Sequence, residues 1–461
     1  MSASQSSRAP DPYEGAARGP ATAIPSLFSL AWPSIVENLL LVLVGIASMM
    51  MVGRLGATAV AGVGAANQVA NLLIVIFSGL SVGNTALVAR SVGSGNHLLA
   101  RSVVRQSLAL GLGLGAVLAV AGAAFNEQML HALGVEADVV ADGTPYLLAV
   151  MATLPLMAVA LLGNGSLRGA GDTRTPMLIT AAMNLANVIV AYLLIFGVAG
   201  LPGLGVAGAA WGVVAARVAG AALVLWALSS AGGRIGHCLK GSWRPNLDLI
   251  RRIAAIGVPA AVESGSIQLG MIAFSIMVIS LGTAAFAAQQ IVFNAANLSM
   301  MPGMAFSVAA TTLTGHYLGA GDPGAAQSSG WRGAYWAALW MSVGGLVFIL
   351  APEPLIRLYT DDPAVVAAGS AGLRVIGFGQ PLQAAAFVLS GALRGAGDTR
   401  TTATVGTAAM WGIRIPLAYV LGLILHLGVT GVWLGWLADW TFRGLLYIRT
   451  FQRGHWRTLK V

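Results

Sequence analysis

Two carboxylates stand deep in apolar sequence. Glu37 lies in an apolar run over 27–52 and Glu263 in one over 253–280. Each is about ten residues in, or roughly 15 Å along a helix rising 1.5 Å per residue. Charge at such depth is costly in a bilayer, so an ionisable residue there is a functional candidate by default. A carboxyl without a partner in apolar surroundings holds its proton more firmly than in water, which suits it to bind and release a proton near neutral pH. The two glutamates are therefore candidate proton-coupling or cation-binding groups. The alternative is that each is permanently hydrogen-bonded and pins two helices together.

Amides recur at similar depth: Asn67, Gln68 and Asn71 within 59–86, Gln289, Gln290, Asn294 and Asn297 within 284–312, and Gln380 and Gln383 within 370–391. Residues three and four apart share a helix face. Ser48, Gln68, Asn71, Gln290, Asn294, Asn297 and Gln383 are expected to line a wet cavity, with interhelical hydrogen bonding as the alternative. Asp439 lies four residues before Arg443 and reads as a structural ion pair. Cys238 is the only cysteine, and the six histidines are scattered with no pair three or four apart. Neither a metal site nor a cofactor is expected.

These residues must be positioned by helices in a membrane. Of 461 residues, 57% are hydrophobic and only 9% charged, where soluble domains run near 25% charged. Twelve apolar runs are long enough to cross a hydrocarbon core, so the expected fold is an all-α integral membrane protein. The net charge of +9 marks no nucleic-acid surface, because the Lys and Arg are dispersed among apolar spans. Arg54 and Arg357 fall in loops on one side, with Glu127, Glu136, Asp138, Asp142, Glu353, Asp361 and Asp362. Arg217, Arg374 and Arg414 lie in or beside spans, and the remaining Lys and Arg gather on the other side or in the tails. The positive-inside rule then places both termini in the cytoplasm.

The chain also repeats itself. Leu167-Arg-Gly-Ala-Gly-Asp-Thr-Arg-Thr175 recurs letter for letter at Leu393–Thr401, 226 residues later. The same offset maps Pro33 onto Pro259, Glu37 onto Glu263, Asn71 onto Asn297 and Pro155 onto Pro381. Each half holds six spans, so the halves enter the membrane from the same side, as parallel repeats flanking a central cleft do. The expected organisation is a disordered tail over 1–24, six-helix lobes over 25–228 and 253–450, a basic linker over 229–252 and a basic tail over 451–461. In the repeated turns, Arg168, Asp172 and Arg174, with Arg394, Asp398 and Arg400, are expected to pair across the turn as a cytoplasmic gate or scaffold. No Lys-Ser/Thr follows, so these are not phosphate-binding loops.

The paired LRGAGDTRT turns and the PxxxE opening of both halves resemble the bacterial multidrug and toxic compound extrusion (MATE) family. So do Met51-Val-Gly-Arg-Leu-Gly56, Met301-Pro-Gly-Met-Ala-Phe-Ser-Val-Ala-Ala-Thr-Thr312 and Gly315-His-Tyr-Leu-Gly-Ala-Gly321. The resemblance covers roughly residues 25–450. It implies twelve helices in two lobes around a V-shaped cleft, and efflux of cationic or amphipathic compounds driven by protons or sodium ions across the inner membrane. Members commonly carry an aspartate in span one where Ser48 stands here, and a serine takes up no proton at neutral pH. Sodium-using relatives also bring a carboxylate from span ten, and 370–391 contains none. The expectation is therefore proton coupling, with sodium as the alternative, in a single-chain antiporter of small organic cations that is no enzyme. A lipid-linked oligosaccharide flippase and a weakly coupled carrier are the other readings.

Overall fold

The computed structural model describes residues 24–132, 134–197, 203–230 and 235–459. The expected disordered tail lies outside these residues except for its last position, as do Arg234 of the linker and Lys460. Among the described residues all regular structure is helical. The first half contains α1 (Leu27–Gly53), α2 (Ala57–Gly93), α3 (His97–Ala124), α4 (Asn126–His131), α5 (Ala137–Ala152), α6 (Leu154–Gly169), α7 (Arg174–Phe196) and α8 (Val206–Ser229). The second contains α9 (Leu247–Ser280), α10 (Thr283–Gly319), α11 (Pro323–Leu350), α12 (Pro352–Arg357) and α13 (Pro363–Gly395). It ends with α14 (Thr399–Ala409), α15 (Ile415–Tyr419) and α16 (Gly428–Arg453). Two π-helical turns, Met410–Arg414 and Val420–Ile424, join α14 to α15 and extend it, so that Thr399–Ile424 is one span.

Among the described residues ten helices are long and apolar enough to cross a bilayer, or eleven if α5 and α6, bent by 52° at their junction, form one span. The last of the twelve expected segments is α16, which carries Asp439 and Arg443 in its middle and packs against α13. The bend in the eleventh follows from Pro155 at the start of α6, which has no N–H to continue the ladder. Arg217 of α8 donates to the Val150 carbonyl and to Thr153 Oγ1 at the break. The repeat counterpart of Pro155, Pro381, sits inside the continuous α13.

The two halves interlock at their first helices. Leu30 and Ala31 of α1 are buried in the core of the second half, and Leu249, Ile253 and Ile256 of α9 in that of the first. The close crossing of α2 with α10 needs glycine: a Cβ on Gly93 would lie 2.1 Å from the His316 carbonyl oxygen, and one on Gly319 2.2 Å from that of Arg90. Thr312 Oγ1 donates to the Arg168 carbonyl at 3.0 Å, and His316 Nε2 lies 2.8 Å from the Gly169 carbonyl. These interlobe contacts sit toward the end of the bundle that carries both LRGAGDTRT turns.

Gly93→Val is therefore expected to wedge that end open. Ser91, 4% exposed in the same region, provides the reporter position. The native Cys238 is buried, and burial pushes its thiol up to about 11, so it contributes little thiolate to labelling at neutral pH. In Ser91→Cys protein a water-soluble maleimide should react slowly, and adding Gly93→Val should accelerate labelling about tenfold or more, since protection reports the closed population. An unchanged rate would mean the crossing absorbs the side chain without opening.

The basic linker is not a free strap. Arg101 donates to the Ile235 carbonyl, Arg105 to those of Cys238, Lys240 and Ser242, and Gln106 to that of Arg244. Residues 235–246 are thereby tied to α3, and α9 begins at Leu247, six residues before the expected span, capped by Asn246. At the C-terminal end α16 continues to Arg453, and Trp456 stacks on Phe451 with ring centroids 4.7 Å apart. Arg457 also reaches Gln327 at 2.6 Å, so 451–459 folds onto the second lobe, where a tail was expected.

Candidate functional site

Neither deep carboxylate is alone. Glu37 is 5% exposed and its Oε1 accepts from Arg168 Nη2 at 2.5 Å and from Thr180 Oγ1 at 3.1 Å. Glu263 is 2% exposed, with Oε1 accepting from Arg394 Nη2 at 2.7 Å and Oε2 from Thr402 Oγ1 at 3.0 Å. In each lobe the arginine of the repeated turn reaches back to the glutamate of the PxxxE motif, 131 residues earlier. The residues expected to couple and those expected to gate are thus partners in the same ion pairs.

The turns themselves differ from expectation. Asp172 caps α7, accepting from the Thr175 N–H at 3.0 Å and its hydroxyl at 2.6 Å, and Asp398 caps α14 through the Thr401 N–H at 3.3 Å. The aspartates stabilise helix starts, and the arginines are directed elsewhere, so no Arg–Asp pair closes either turn among the described residues. Gly171 and Gly397 have φ of +86° and +90°, a region L side chains avoid. There the Asp172 and Asp398 N–H groups bond the Leu167 and Leu393 carbonyls, both at 2.9 Å. Arg174 and Arg400 are exposed, the former 5.7 Å from the Trp32 ring centroid.

The PxxxE spacing has a local reason. Pro33 cannot donate to the Ser29 carbonyl four residues before it, and Thr173 Oγ1 of the turn donates there at 3.4 Å. Proline and glutamate, one helical turn apart, therefore grip the same LRGAGDTRT turn. In the second lobe this symmetry fails: Thr399, the counterpart of Thr173, has a buried hydroxyl with no partner. The threonines on the glutamates differ too. The repeat offset maps Thr180 onto Gly406, and Glu263 instead takes Thr402, one turn earlier on α14.

Each lobe holds a partly open cavity, and the one in the second lobe reaches an ion pair. The first-lobe cavity, about 230 Å³, is lined by Ser48, Asn67, Tyr146, Asn184 and Asn187 among apolar residues, with no carboxylate. Ser48 Oγ lies 3.3 Å from Asn187 Oδ1, Tyr146 donates to Asn67 at 3.2 Å, and Asn184 donates to the Leu40 carbonyl at 2.8 Å. Thr180, Asn184 and Asn187 form one polar face of α7 directed at α1. That face is readable from the spacing of Thr180, Asn184 and Asn187, three and four residues apart. The second-lobe cavity, about 280 Å³, is lined by Glu263, Arg394, Trp440, Arg443 and Tyr447, and by Asn38 from α1. It touches both lobes.

Of the expected cavity residues, Ser48 lines the first-lobe cavity. Gln68, Asn71, Gln290, Asn294 and Asn297 are exposed on the halves of α2 and α10 remote from the interlobe contact, and line neither cavity. Gln68 is one residue, about 100° of helix rotation, from Asn67, which does. Gln383 is buried, with Nε2 3.5 Å from Met300 Sδ. Asp439 forms the expected pair with Arg443 at 2.7 Å and a second with Arg414 of the π-helical turn, all three side chains within 4% exposure. Arg414 lies 3.9 Å from the Trp436 ring centroid.

The family model MatE matches residues 33–193 and 259–420, once per half. The chain is 31% identical over 431 residues to the probable multidrug resistance protein NorM of Thermotoga maritima, covering 93% of this chain and 92% of that protein. It is 28% identical over 443 residues to the uncharacterized transporter YisQ of Bacillus subtilis, covering 96% and 97%. Among solved structures, the outward-facing conformation of a multidrug resistance MATE family transporter of the MOP superfamily aligns with a TM-score of 0.85 at 20% identity over 93% of this chain and 94% of that one. With both halves matched, the chain belongs to the MatE family, the family its paired motifs resemble, and is a multi-pass membrane protein of that fold.

Proposed function

We propose that this protein is a secondary active antiporter that exports cationic or amphipathic compounds from the cell in exchange for protons. The observation that carries the reading is Glu263. It is a buried carboxylate on the wall of a cavity that α1 also lines, tied to the turn between α13 and α14 through Arg394. A proton placed on Glu263 removes the charge that holds Arg394. The turn is then free to shift, and protonation state is linked to lobe position. The first-lobe cavity offers amides and hydroxyls but no carboxylate, which leaves proton uptake to the second lobe. Sodium favours several hard oxygen ligands, and Glu263 is the one carboxylate lining either cavity.

The distribution of Lys and Arg places both termini in the cytoplasm, so the interlobe contacts close the cytoplasmic end. The exposed amides of α2 and α10 then border a cleft open to the outside, and the protein sits in the inner membrane, acting as a monomer. Relatives named multidrug resistance proteins support the substrate class. A flippase would need arginines free to hold a pyrophosphate, but Arg217 is bonded to the α5 break, Arg414 and Arg443 are paired with Asp439, and Arg394 is paired with Glu263. The reading is of a carrier rather than an enzyme.

Purified protein in liposomes, tested for ethidium efflux under an imposed pH gradient and separately a sodium gradient, tests it. The pH gradient alone is expected to drive efflux. Transport by the sodium gradient alone would reassign the ion, and none under either would remove the antiport reading.

A further inference from the structure

A further cavity, about 190 Å³, lies at the closed end of the interlobe seam, beside the close crossing of α2 with α10. Arg90 of α2 and Arg252 of α9 line it, with Ser91 and Ser94 at the end of α2. Leu99 and Val103 of α3, Leu249 of α9 and Leu318 of α10 give it an aliphatic wall. Helices of both halves build this space, and opening the seam would take the α10 wall away.

Arg90 has no counter-charge within the protein. Among the described residues its guanidinium makes no ion pair and no hydrogen bond. Nη1 is sealed from solvent, but the side chain as a whole is only half-buried and meets open space in this cavity. Nε and Nη2 therefore form the edge of the fork that a ligand can reach. An arginine in the last turn of a helix interacts favourably with the helix dipole, but that role needs neither a cavity nor a second arginine across it. Arg252 supplies that second guanidinium from α9, tied through Nη2 to the exposed Asp248 at 2.9 Å. Positive charge beside an aliphatic wall attracts an anion more strongly than it would in open water.

The geometry points to a binding site for a phosphoryl group in the interlobe seam, held between Arg90 and Arg252. The guanidinium fork matches phosphoryl oxygens. Ser91 and Ser94 donate their hydroxyl protons to the Leu87 and Ser91 carbonyls, so the arginines supply the attraction. At about 190 Å³ the space is several times the roughly 30 Å³ share of one water, and takes a phosphoryl group together with part of its hydration. The group comes either from free inorganic phosphate or from the headgroup of an anionic phospholipid in the adjoining leaflet. This goes beyond the proposed transport function and rests on it only for the side of the membrane, the cytoplasmic one. A phosphoryl group bound here touches a contact set that exists while the seam is closed, so it favours the closed seam.

Ser94 is exposed and lines the cavity, which makes Ser94→Cys the reporter. In uncharged detergent, labelling by N-ethylmaleimide is followed with inorganic phosphate and with sodium chloride of equal ionic strength. A Kd of about 1 mM is the scale of two hydrogen bonds to charged groups, so about 10 mM phosphate should slow labelling about tenfold where chloride does not. Arg90→Gln and Arg252→Gln, each added to the reporter, should each remove most of that protection. Arg90→Lys, which keeps the charge and loses the fork, should weaken it, and serves if the glutamine variant fails to fold. Nanodiscs of phosphatidylcholine with and without phosphatidylglycerol read the other source. Protection by phosphatidylglycerol without added phosphate assigns a lipid headgroup, and protection by phosphate alone assigns the free anion. Protection by neither overturns the site, and so does protection that survives both arginine substitutions. The result is independent of ethidium efflux: phosphate protection without pH-driven efflux overturns antiport and keeps the site, and the converse does the reverse.

Discussion

Glu263→Gln protein in proteoliposomes is expected to lose pH-driven ethidium efflux down to the level of protein-free vesicles, while Glu37→Gln protein retains it. Both glutamates are buried and both are bonded by an arginine and a threonine, so sequence symmetry alone would give them equal roles. Their surroundings differ. Glu263 lines a cavity that extends to α1, where a proton or a transported compound can reach it, and Glu37 lines neither cavity. Gly406 packs against Glu263, where an added Cβ would come within 3.1 Å of its carboxylate. The first lobe has Thr180 at the matching position, bonded to Glu37. Glutamine still accepts from Arg394 through its one carbonyl oxygen, and its amide N–H can donate to the Thr402 hydroxyl, which keeps its bond to the Thr399 carbonyl, so the variant should fold with a loss of about 1–2 kcal/mol, the scale of a weakened hydrogen bond to a charged group. It titrates no proton, so the coupling alone is removed. Ethidium binding in detergent should survive the change, which separates lost coupling from lost substrate affinity. Efflux lost equally in both variants would make the two lobes equivalent, and efflux retained in Glu263→Gln would make the second pair a fixture of the scaffold.

Much of this was legible from the residues. The repeated turn and the two PxxxE motifs were visible as spacing, and the helix count followed from apolar runs. The connection between them was not, because nothing in the sequence says that Arg168 turns back toward Glu37 rather than across its own turn to Asp172. Helix capping decided it: Asp172 is drawn to the free N–H of Thr175 and its hydroxyl, and the arginine is left to find the deep carboxylate. The cavity residues were harder. A polar stripe on a helix can face an enclosed cavity, an open cleft or a neighbouring helix, and a single residue of register separates Asn67 from Gln68. The second-lobe cavity was hidden for a different reason: it is assembled from five helices, and a pattern within any one of them reads as packing with an ion pair.

Arg168→Leu is expected to destabilise the protein by about 3 kcal/mol, and the double variant Glu37→Leu/Arg168→Leu to recover most of that loss. Removing one member of a buried pair typically costs about 3–5 kcal/mol, because the other charge is left without compensation. The lower end applies, since the Arg168 side chain is 24% exposed and its charge is partly solvated, whereas that of Glu37 is 7% exposed. Stranded Glu37 would keep only the Thr180 hydroxyl. Removing both charges leaves two apolar side chains beside Leu40 and the α7 face, and replacing a buried pair by hydrophobic residues is often neutral or better. The turn would remain anchored by bonds that do not use the guanidinium. Thr173 still reaches the Ser29 carbonyl, Asp172 still caps α7, and Thr312 of the other lobe still bonds the residue-168 carbonyl. Thermal unfolding in detergent, followed by fluorescence for the wild type, both single variants and the double, gives the interaction energy directly as a double-mutant cycle. Recovery in the double variant identifies the pair as a device that fixes where the turn docks, with little net contribution to stability. A double variant as unstable as the sum of the singles would show that each side chain anchors the turn independently, and that the PxxxE motif holds α1 by more than its charge.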